Sequence, residues 1–214
     1  MANMTSAERM RQGTRKRREQ QKQELYHEIL SAAAELLLER GYEQFSLRQV
    51  AERIGYSAGT IYLYFKDKDE VLFKLAQDFY ARFGRQLAAA FNSESEPMAR
   101  ILAGGRAYIS FGVHNPVAYQ LMFMQFGEFK ARIENNAGRP AGPDPFDLLR
   151  EEVRKGIDAG LIRREDPNAI ADALRSCVHG MVAFAIQIHS DDQPRIEAMT
   201  EIALQILIDG LKPR

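Results

Sequence analysis

The sequence predicts an all-α fold, with an N-terminal helix-turn-helix domain followed by a larger helical domain. Three observations predict it. Period-two runs rich in Val, Ile and Thr are absent, and the seven valines are scattered from Val50 to Val182. Apolar residues recur instead at spacings of three and four, the repeat of a helix face. Residues that start and stop helices punctuate these stretches at helix-like intervals.

The elements follow in order. Residues 1–14 are expected to be a disordered basic arm. A helix over 15–40 places Leu25, Ile29, Ala32, Ala33, Leu36 and Leu37 on one face, and Gly41 ends it. Ser46 is placed to cap a short helix over 47–54, which Gly55 stops. Ser57 is placed to cap a second, over 58–65. Asp67 and Glu70 form the D-x-x-E pattern of a capping box and open a long helix over 68–91. Further helices are expected over 98–114, from Pro116, and over 146–159, 167–189 and 194–211. Asn115–Pro116 and Asp166–Pro167 each pair a cap with a proline at the first helical position. The Gly- and Pro-rich stretch 135–145 reads as a loop. Residues 15–66 then form one domain and 67–214 another.

Composition narrows the class. The chain has 214 residues, 45% of them hydrophobic, enough to bury a core without covalent staples. One cysteine, Cys177, excludes a disulfide framework and a cysteine-based zinc site. No apolar leader follows Met1 and no run approaches 18 uncharged apolar residues, so the expected compartment is the cytoplasm, with no membrane partner. Net charge is zero but segregated. Residues 9–22 hold seven basic groups (Arg9, Arg11, Arg15, Lys16, Arg17, Arg18 and Lys22) and one acidic group, Glu19. Residues 1–66 hold 11 basic and 8 acidic groups, and residues 67–214 hold 18 and 21. A basic end on a mildly acidic body suggests two jobs on one chain.

The informative stretch is SLRQVAERIGYSAGTIYLYFKDK, residues 46–68. Two short helices crossing steeply need a turn residue that tolerates positive φ, which suits Gly55. They need a small residue at the crossing, Ala51, and apolar filling, here Leu47, Val50, Ile54 and Ile61. This is helix-turn-helix spacing. The second helix turns Ala58, Gly59, Thr60, Tyr62 and Tyr64 outward. Small residues at its N-terminus let backbone amides approach a phosphate or a base edge, and the hydroxyls can donate to phosphate oxygens. Lys68 puts a cation where the helix dipole is already positive, which makes sense beside a phosphate.

The stretch resembles the DNA-binding head of TetR/AcrR-type transcriptional regulators. The matching residues run from Ile29-Leu30 and Ala33-Ala34 through Gly41-Tyr42, Ser46, Val50-Ala51, Gly55 and the run 57–62. They continue with Tyr64-Phe65, Lys68 and Leu72. The resemblance implies a homodimer whose second short helix enters the major groove of a palindromic operator. It implies that 67–214 bind a small-molecule effector and dimerise. Ser46 and Arg48 match positions that touch phosphate, or a base in the case of Arg48. Ala58, Gly59 and Thr60 match the base-facing end of the recognition helix, and Tyr62, Tyr64 and Lys68 match phosphate contacts. No long base reader lies within 58–65, so direct readout is expected to rest on Arg48, Gln49, Thr60 and the tyrosines, and operator shape to matter. Further on, Val113-His114-Asn115-Pro116, with 119–123, resembles one subgroup's effector domain. Val178-His179-Gly180 resembles its Trp-His-Gly element, with valine where the subgroup has tryptophan.

Other features can be read in two ways. The basic arm is a solvated tail or, beside a reading head, a DNA contact through residues such as Arg17 and Arg18. The last two helices bury their apolar faces in one subunit or form a four-helix dimer interface. The expected interface is Ile170, Leu174, Cys177, Met181, Met199, Ala203, Ile206 and Gly210. A second apolar set (Ile202, Leu204, Leu207, Ile208 and Leu211) makes the last helix apolar on more than one side. The middle helices are rich in aromatics and methionine, and Tyr108, Phe111, His114, Tyr119, Met122, Phe123, Phe126, His179 and Phe184 are the candidate effector pocket. Enzymatic readings find no support. Glu24 and His27 fit one E-x-x-H, but di-iron chemistry needs two copies. Nucleophile-elbow, P-loop and dinucleotide motifs are absent, the four histidines show no ligand spacing, and neither a metal nor another cofactor is expected. The reading is therefore a ligand-responsive repressor released from DNA by a small lipophilic effector. The alternative is a helical sensor or carrier whose head no longer reads DNA.

Overall fold

The structure, a computed structural model, describes residues 6–123, 144–188 and 192–213. The described residues form nine helices and no strand: α1 (Ser6–Gln44), α2 (Leu47–Arg53), α3 (Ala58–Tyr62), α4 (Lys68–Phe91), α5 (Pro97–His114), α6 (Pro116–Phe123), α7 (Pro145–Asp158), α8 (Pro167–Ile188) and α9 (Gln193–Leu211). The expected loop at 135–145 lies, apart from its last two residues, outside the described residues, as does Phe126.

The largest departure from the sequence reading is α1, which is helical from Ser6 where a disordered arm was expected. Residues 6–24 contain no proline and few β-branched residues, and Ala, Met, Arg, Lys, Gln and Glu all favour helix. Arg15 and Glu19 add an i,i+4 ion pair. Helical backbone breaks at Gly41, whose φ of 71° and ψ of 175° fall in a region open essentially to glycine alone.

The chain separates into two compact units, Met1–Leu75 and Ala76–Arg214. In the first, Ile29, Ala33, Leu36 and Leu37 of α1 are buried with Leu47, Val50 and Ala51 of α2, Ile61 of α3, and Phe65. Gly55, at φ 72°, turns the chain between α2 and α3, and the next amide, Tyr56 N–H, donates to Ala51 O at 2.9 Å. Arg53 at the end of α2 forks onto Glu39 of α1 at 2.8 and 2.5 Å. The Tyr26 ring stacks on Phe65 at 5.2 Å, closing the bundle near the N-terminal end of its core.

In the second unit Phe83, fully buried, is the hub of an aromatic cluster. Its ring lies 5.2 Å from Tyr108, 5.2 Å from Phe111 and 5.6 Å from Phe123. A separate aliphatic cluster joins Ile101, Val153, Ile162, Ile170, Ala171, Leu174 and Leu211. Gly112 makes the α5–α8 crossing possible, since a Cβ there would meet Val182 Cγ1 at 2.3 Å. One carboxylate enters this core. Glu152, its side chain 8% exposed, is held by Arg100 at 3.2 Å and Lys155 at 2.8 Å. Helix α8 is long and apolar enough to cross a membrane by length and composition alone. It carries Asp172 and Arg175, and one face, with Ile170, Ala171, Leu174, Val178, Val182 and Ala185, is buried within the unit.

Candidate nucleic-acid interface and effector cavity

The head is assembled by caps. Ser46 Oγ accepts the Gln49 N–H at 3.4 Å, and Gln49 Oε1 accepts the Ser46 N–H at 3.0 Å, so the first turn of α2 is closed from both sides. Ser57 Oγ accepts the Thr60 N–H at 3.2 Å and lies 2.9 Å from Thr60 Oγ1. Asp67 Oδ1 accepts from Glu70 N at 2.9 Å, and Glu70 Oε2 reaches back to Lys66 N–H at 2.7 Å. The D-x-x-E pattern thus caps α4, with the return bond one residue earlier than in a standard box.

These bonds sort the candidate DNA-binding residues. Gln49 is engaged in capping, and Thr60 shares its hydroxyl with Ser57. Arg48 is exposed and pairs with Glu52 at 3.2 Å, a contact weak enough to exchange for a phosphate or a base. Tyr62 is exposed and Tyr64 half-buried. Gly59 is exposed, and a Cβ built there would meet nothing closer than Ser57 Oγ at 3.7 Å. Nothing within the fold forbids a side chain there. Lys68 Nζ sits 4.2 Å from the centroid of the Tyr42 ring, which fixes the start of α4 against the end of α1. Arg17 and Arg18 are exposed on α1. The sequence reading passed over Leu63, which caps α3 and is 81% exposed, and Tyr56, also exposed on the turn. Extending the second helix to residue 65 had hidden Leu63 among helical positions.

The second unit holds a cavity of about 40 Å³. It lies among α4, α5, α7, α8 and α9. Its walls are aliphatic and aromatic, with Leu87, Phe91, Leu149, Leu204, Leu207 and Ile208 prominent. Gly104 and Gly105 lower the α5 wall, and among the described residues Arg175 is the one charged group in the lining. Arg175 also lies over the Phe146 ring, 4.8 Å from its centroid.

Of the candidate pocket residues, Tyr108 lines this cavity. Its hydroxyl lies 3.0 Å from that of Tyr119, which in turn lies 2.5 Å from His179 Nδ1. Burial pushes the Tyr108 hydroxyl up to about 12 and raises that of Tyr119 further. Burial, and then Arg175, lowers the pKa of His179. Phe111 and Met122 are buried in the core, and Phe123 packs on Tyr119 and Phe83. His114 is exposed, its Nδ1 2.8 Å from Ser110 O of its own helix, and Phe184 is 44% exposed. None of these five lines the cavity.

The candidate interface residues also divide. Ile170 and Leu174 are buried in the subunit's own core, and Met181, Met199 and Ala203 are half-buried. Cys177, Gly210 and Ile206 (65%) are exposed, together with Ile202 (62%), which had been assigned to the second apolar set. Spacing shows that a helix has two apolar stripes. Tertiary packing decides which one faces inward.

Residues 29–75 match the family described as bacterial regulatory proteins, tetR family. Residues 101–207 match the tetracyclin repressor-like C-terminal domain. The chain belongs to the TetR family. Its members are DNA-binding transcription regulators rather than enzymes, and they bind small-molecule effectors, commonly as dimers. One relative is a fatty acid metabolism regulator protein of Bacillus subtilis (strain 168). It is 24% identical over 200 residues, which cover 89% of this chain and 97% of the relative. Among solved structures, a protein of unknown function from Rhodococcus sp. RHA1 superposes with a TM-score of 0.74 at 25% identity. It covers 88% of this chain and 96% of its own. The fatty acid degradation regulator FadR from Bacillus halodurans superposes with a TM-score of 0.72 at 21% identity, covering 88% and 97%, and shares the fold. In this TetR-family chain the first match spans the capped helices α2 and α3, and the second covers the cavity lining except Leu87 and Phe91 before it and Ile208 after it.

Proposed function

We propose that this TetR-family protein is a homodimeric repressor that binds a palindromic operator and is released by a small lipophilic effector. The observation that carries the reading is the end of α3. There Gly59 is exposed and carries no side chain although a Cβ would meet nothing closer than Ser57 Oγ at 3.7 Å, and half-buried Ala58 beside it carries only a methyl. A surface stripped in this way suits close approach to a DNA backbone or base edge. Ser46, Arg48, Thr60, Tyr62, Tyr64 and Lys68 surround it as candidate phosphate and base contacts.

The dimer rests on the outer faces of α8 and α9. Ala173, Cys177, Gly180 and Phe184 are exposed along α8, and Ala198, Ile202, Ile206 and Gly210 along α9. Small residues between large apolar ones let helices from two subunits pack closely in a four-helix arrangement. Two heads in successive major grooves must stand about 34–36 Å apart, or a multiple of that.

The cavity takes the effector. Its walls suit an aliphatic chain, and Arg175 suits an anionic end. Together with the Bacillus subtilis relative's role in fatty acid metabolism, this favours a fatty acid. Leu87 and Phe91, at one end of α4, line the cavity, and Lys68 stands at the other end. A ligand that displaces the cavity end of α4 therefore moves the residue placed for phosphate. Driving the equilibrium from 1:99 to 99:1 takes about 5.5 kcal/mol of preference for the released state. Acting on an operator, the protein works in the cytoplasm.

The test is selection of binding sites from randomised duplex DNA at about 0.15 M salt, where non-specific attraction is largely screened. Enrichment of an inverted repeat is expected, with release by a fatty acid. Failure to enrich any sequence overturns the DNA reading. An enriched repeat that no such ligand releases overturns the effector class alone.

A further inference from the structure

The N-terminal extension of α1 has a face of its own. Arg15, Arg18 and Lys22 follow one another at spacings of three and four. The same alternation continues without a break through Leu25, Ile29, Ala32 and Leu36. The last three of these are buried in the head, and Leu25 is half-buried. One stripe of one helix therefore changes from basic to apolar at the point where α1 enters the domain. Lys16 and Arg17 lie off that stripe by more than a quarter turn.

Every residue from 12 to 24 is exposed, while helical structure begins at Ser6. The exposed stretch 12–24 thus overhangs the head by about 20 Å at 1.5 Å per residue. That is more than the width of a major groove, about 12 Å. The charge pattern works against an isolated helix. Like charges at i,i+4, such as Arg18 and Lys22, repel. A single acidic residue, Glu19, sits among the seven basic residues of 9–22, and it pairs with Arg15. An anionic partner laid along the stripe removes that penalty.

We propose that the overhang is a second DNA-binding element, a rigid basic helix whose Arg15–Arg18–Lys22 face grips backbone phosphates outside the half-site read by α3. This deepens the proposed function and rests on it. It assigns phosphates of flanking duplex, rather than minor-groove edges, as the partner, because a continuous helix cannot thread the minor groove as an extended arm does. It also moves the contact from the pair Arg17 and Arg18 to one face of the helix.

The test compares the triple variant R15Q/R18Q/K22Q with the off-stripe variant K16Q/R17Q, each as full-length protein on the selected operator. Binding is measured across salt concentrations, with hydroxyl-radical footprinting. The wild type is expected to protect backbone beyond the half-site. The triple variant should lose that protection and flatten the log K against log salt slope by two to three, at about 0.9 per phosphate contact. K16Q/R17Q should change the slope by less than one and keep the footprint. Equal slopes for the two variants, or a triple variant with the wild-type footprint, overturn the proposal. Circular dichroism on both variants separates loss of helix from loss of contact. A wild type that selects no operator would instead sink the DNA reading beneath it.

Discussion

Ser46 and Gln49 cap each other, with Ser46 Oγ accepting the Gln49 N–H while Gln49 Oε1 accepts the Ser46 N–H. A residue that looks like a base reader in the sequence is thus holding the first turn of the helix that positions Arg48. Gln49→Ala is expected to lower stability by about 1 kcal/mol, in the range of cap losses. The urea midpoint should fall without a change in m, and the sequence preference of the selected operator should stay as it was. A changed base preference with unchanged stability would return Gln49 to the role of reader.

Gly59→Ala makes the opposite separation. The added methyl meets Ser57 Oγ at an ordinary 3.7 Å, and alanine is the better helix former by about 0.8–1 kcal/mol. The variant should melt at or above the wild-type temperature and bind its operator at least tenfold more weakly. Wild-type affinity would mean that the end of α3 does not approach DNA closely.

Lys68 and Tyr42 allow charge and packing to be told apart. Lys68→Gln removes both the candidate phosphate contact and the cation over the ring, whereas Tyr42→Leu removes the ring and leaves the Lys68 ammonium in place. The first is expected to reduce the salt slope of operator binding by about one, and the second to leave it at the wild-type value. A wild-type slope in Lys68→Gln would confine Lys68 to fixing the start of α4.

Most helices were legible because their ends carry chemistry. Asp67, Asn115 and Asp166 with their following residues, and Gly41, Gly55 and Gly160 with positive φ, mark boundaries whatever the tertiary structure does. The N-terminal part of α1 was not legible. A helix polar all round has no apolar period to read, so residues 6–14 looked like an arm. The cavity was not legible either. Aromatic richness pointed to Phe111 and Met122, which the core absorbs around Phe83. The walls come from Leu87, Leu149, Leu207 and Ile208, ordinary aliphatics brought together by packing over Gly104 and Gly105.

The dimer reading predicts a clean break at Ile206. Ile206→Glu places a charge on an exposed side chain, so the subunit should keep its helical circular dichroism. The charge should nevertheless abolish the dimer in sedimentation and cost most of the operator affinity, because a single head binds one half-site. Ile170→Glu is the contrasting control, since Ile170 lies in the aliphatic core and its replacement should unfold the subunit. A dimer that survives Ile206→Glu would place the interface elsewhere.

His179 gives a pH dependence with a defined sign. Burial lowers its pKa in the folded protein, and the Tyr119 hydroxyl lies against Nδ1, a contact suited to the neutral ring. Between the folded and unfolded pKa values the unfolded chain binds more protons, so stability rises with pH in that window. The contribution is fully present above the unfolded value of about 6.5 and is lost as pH falls below it toward the lowered folded value. Tyr108 and Tyr119, both raised, stay protonated throughout and add no slope there. Glu39, Glu201 and Asp209, all lowered by their cationic partners, lose their contributions at more acidic pH and do so equally in wild type and a His179 variant. The melting temperature of the wild type minus that of His179→Leu is therefore expected to be largest above pH 7 and to shrink toward pH 5. A difference that is flat across that range would show that the ring titrates alike in the folded and unfolded chains, and that the Tyr108–Tyr119–His179 contacts hold it no more firmly in one protonation state than in the other.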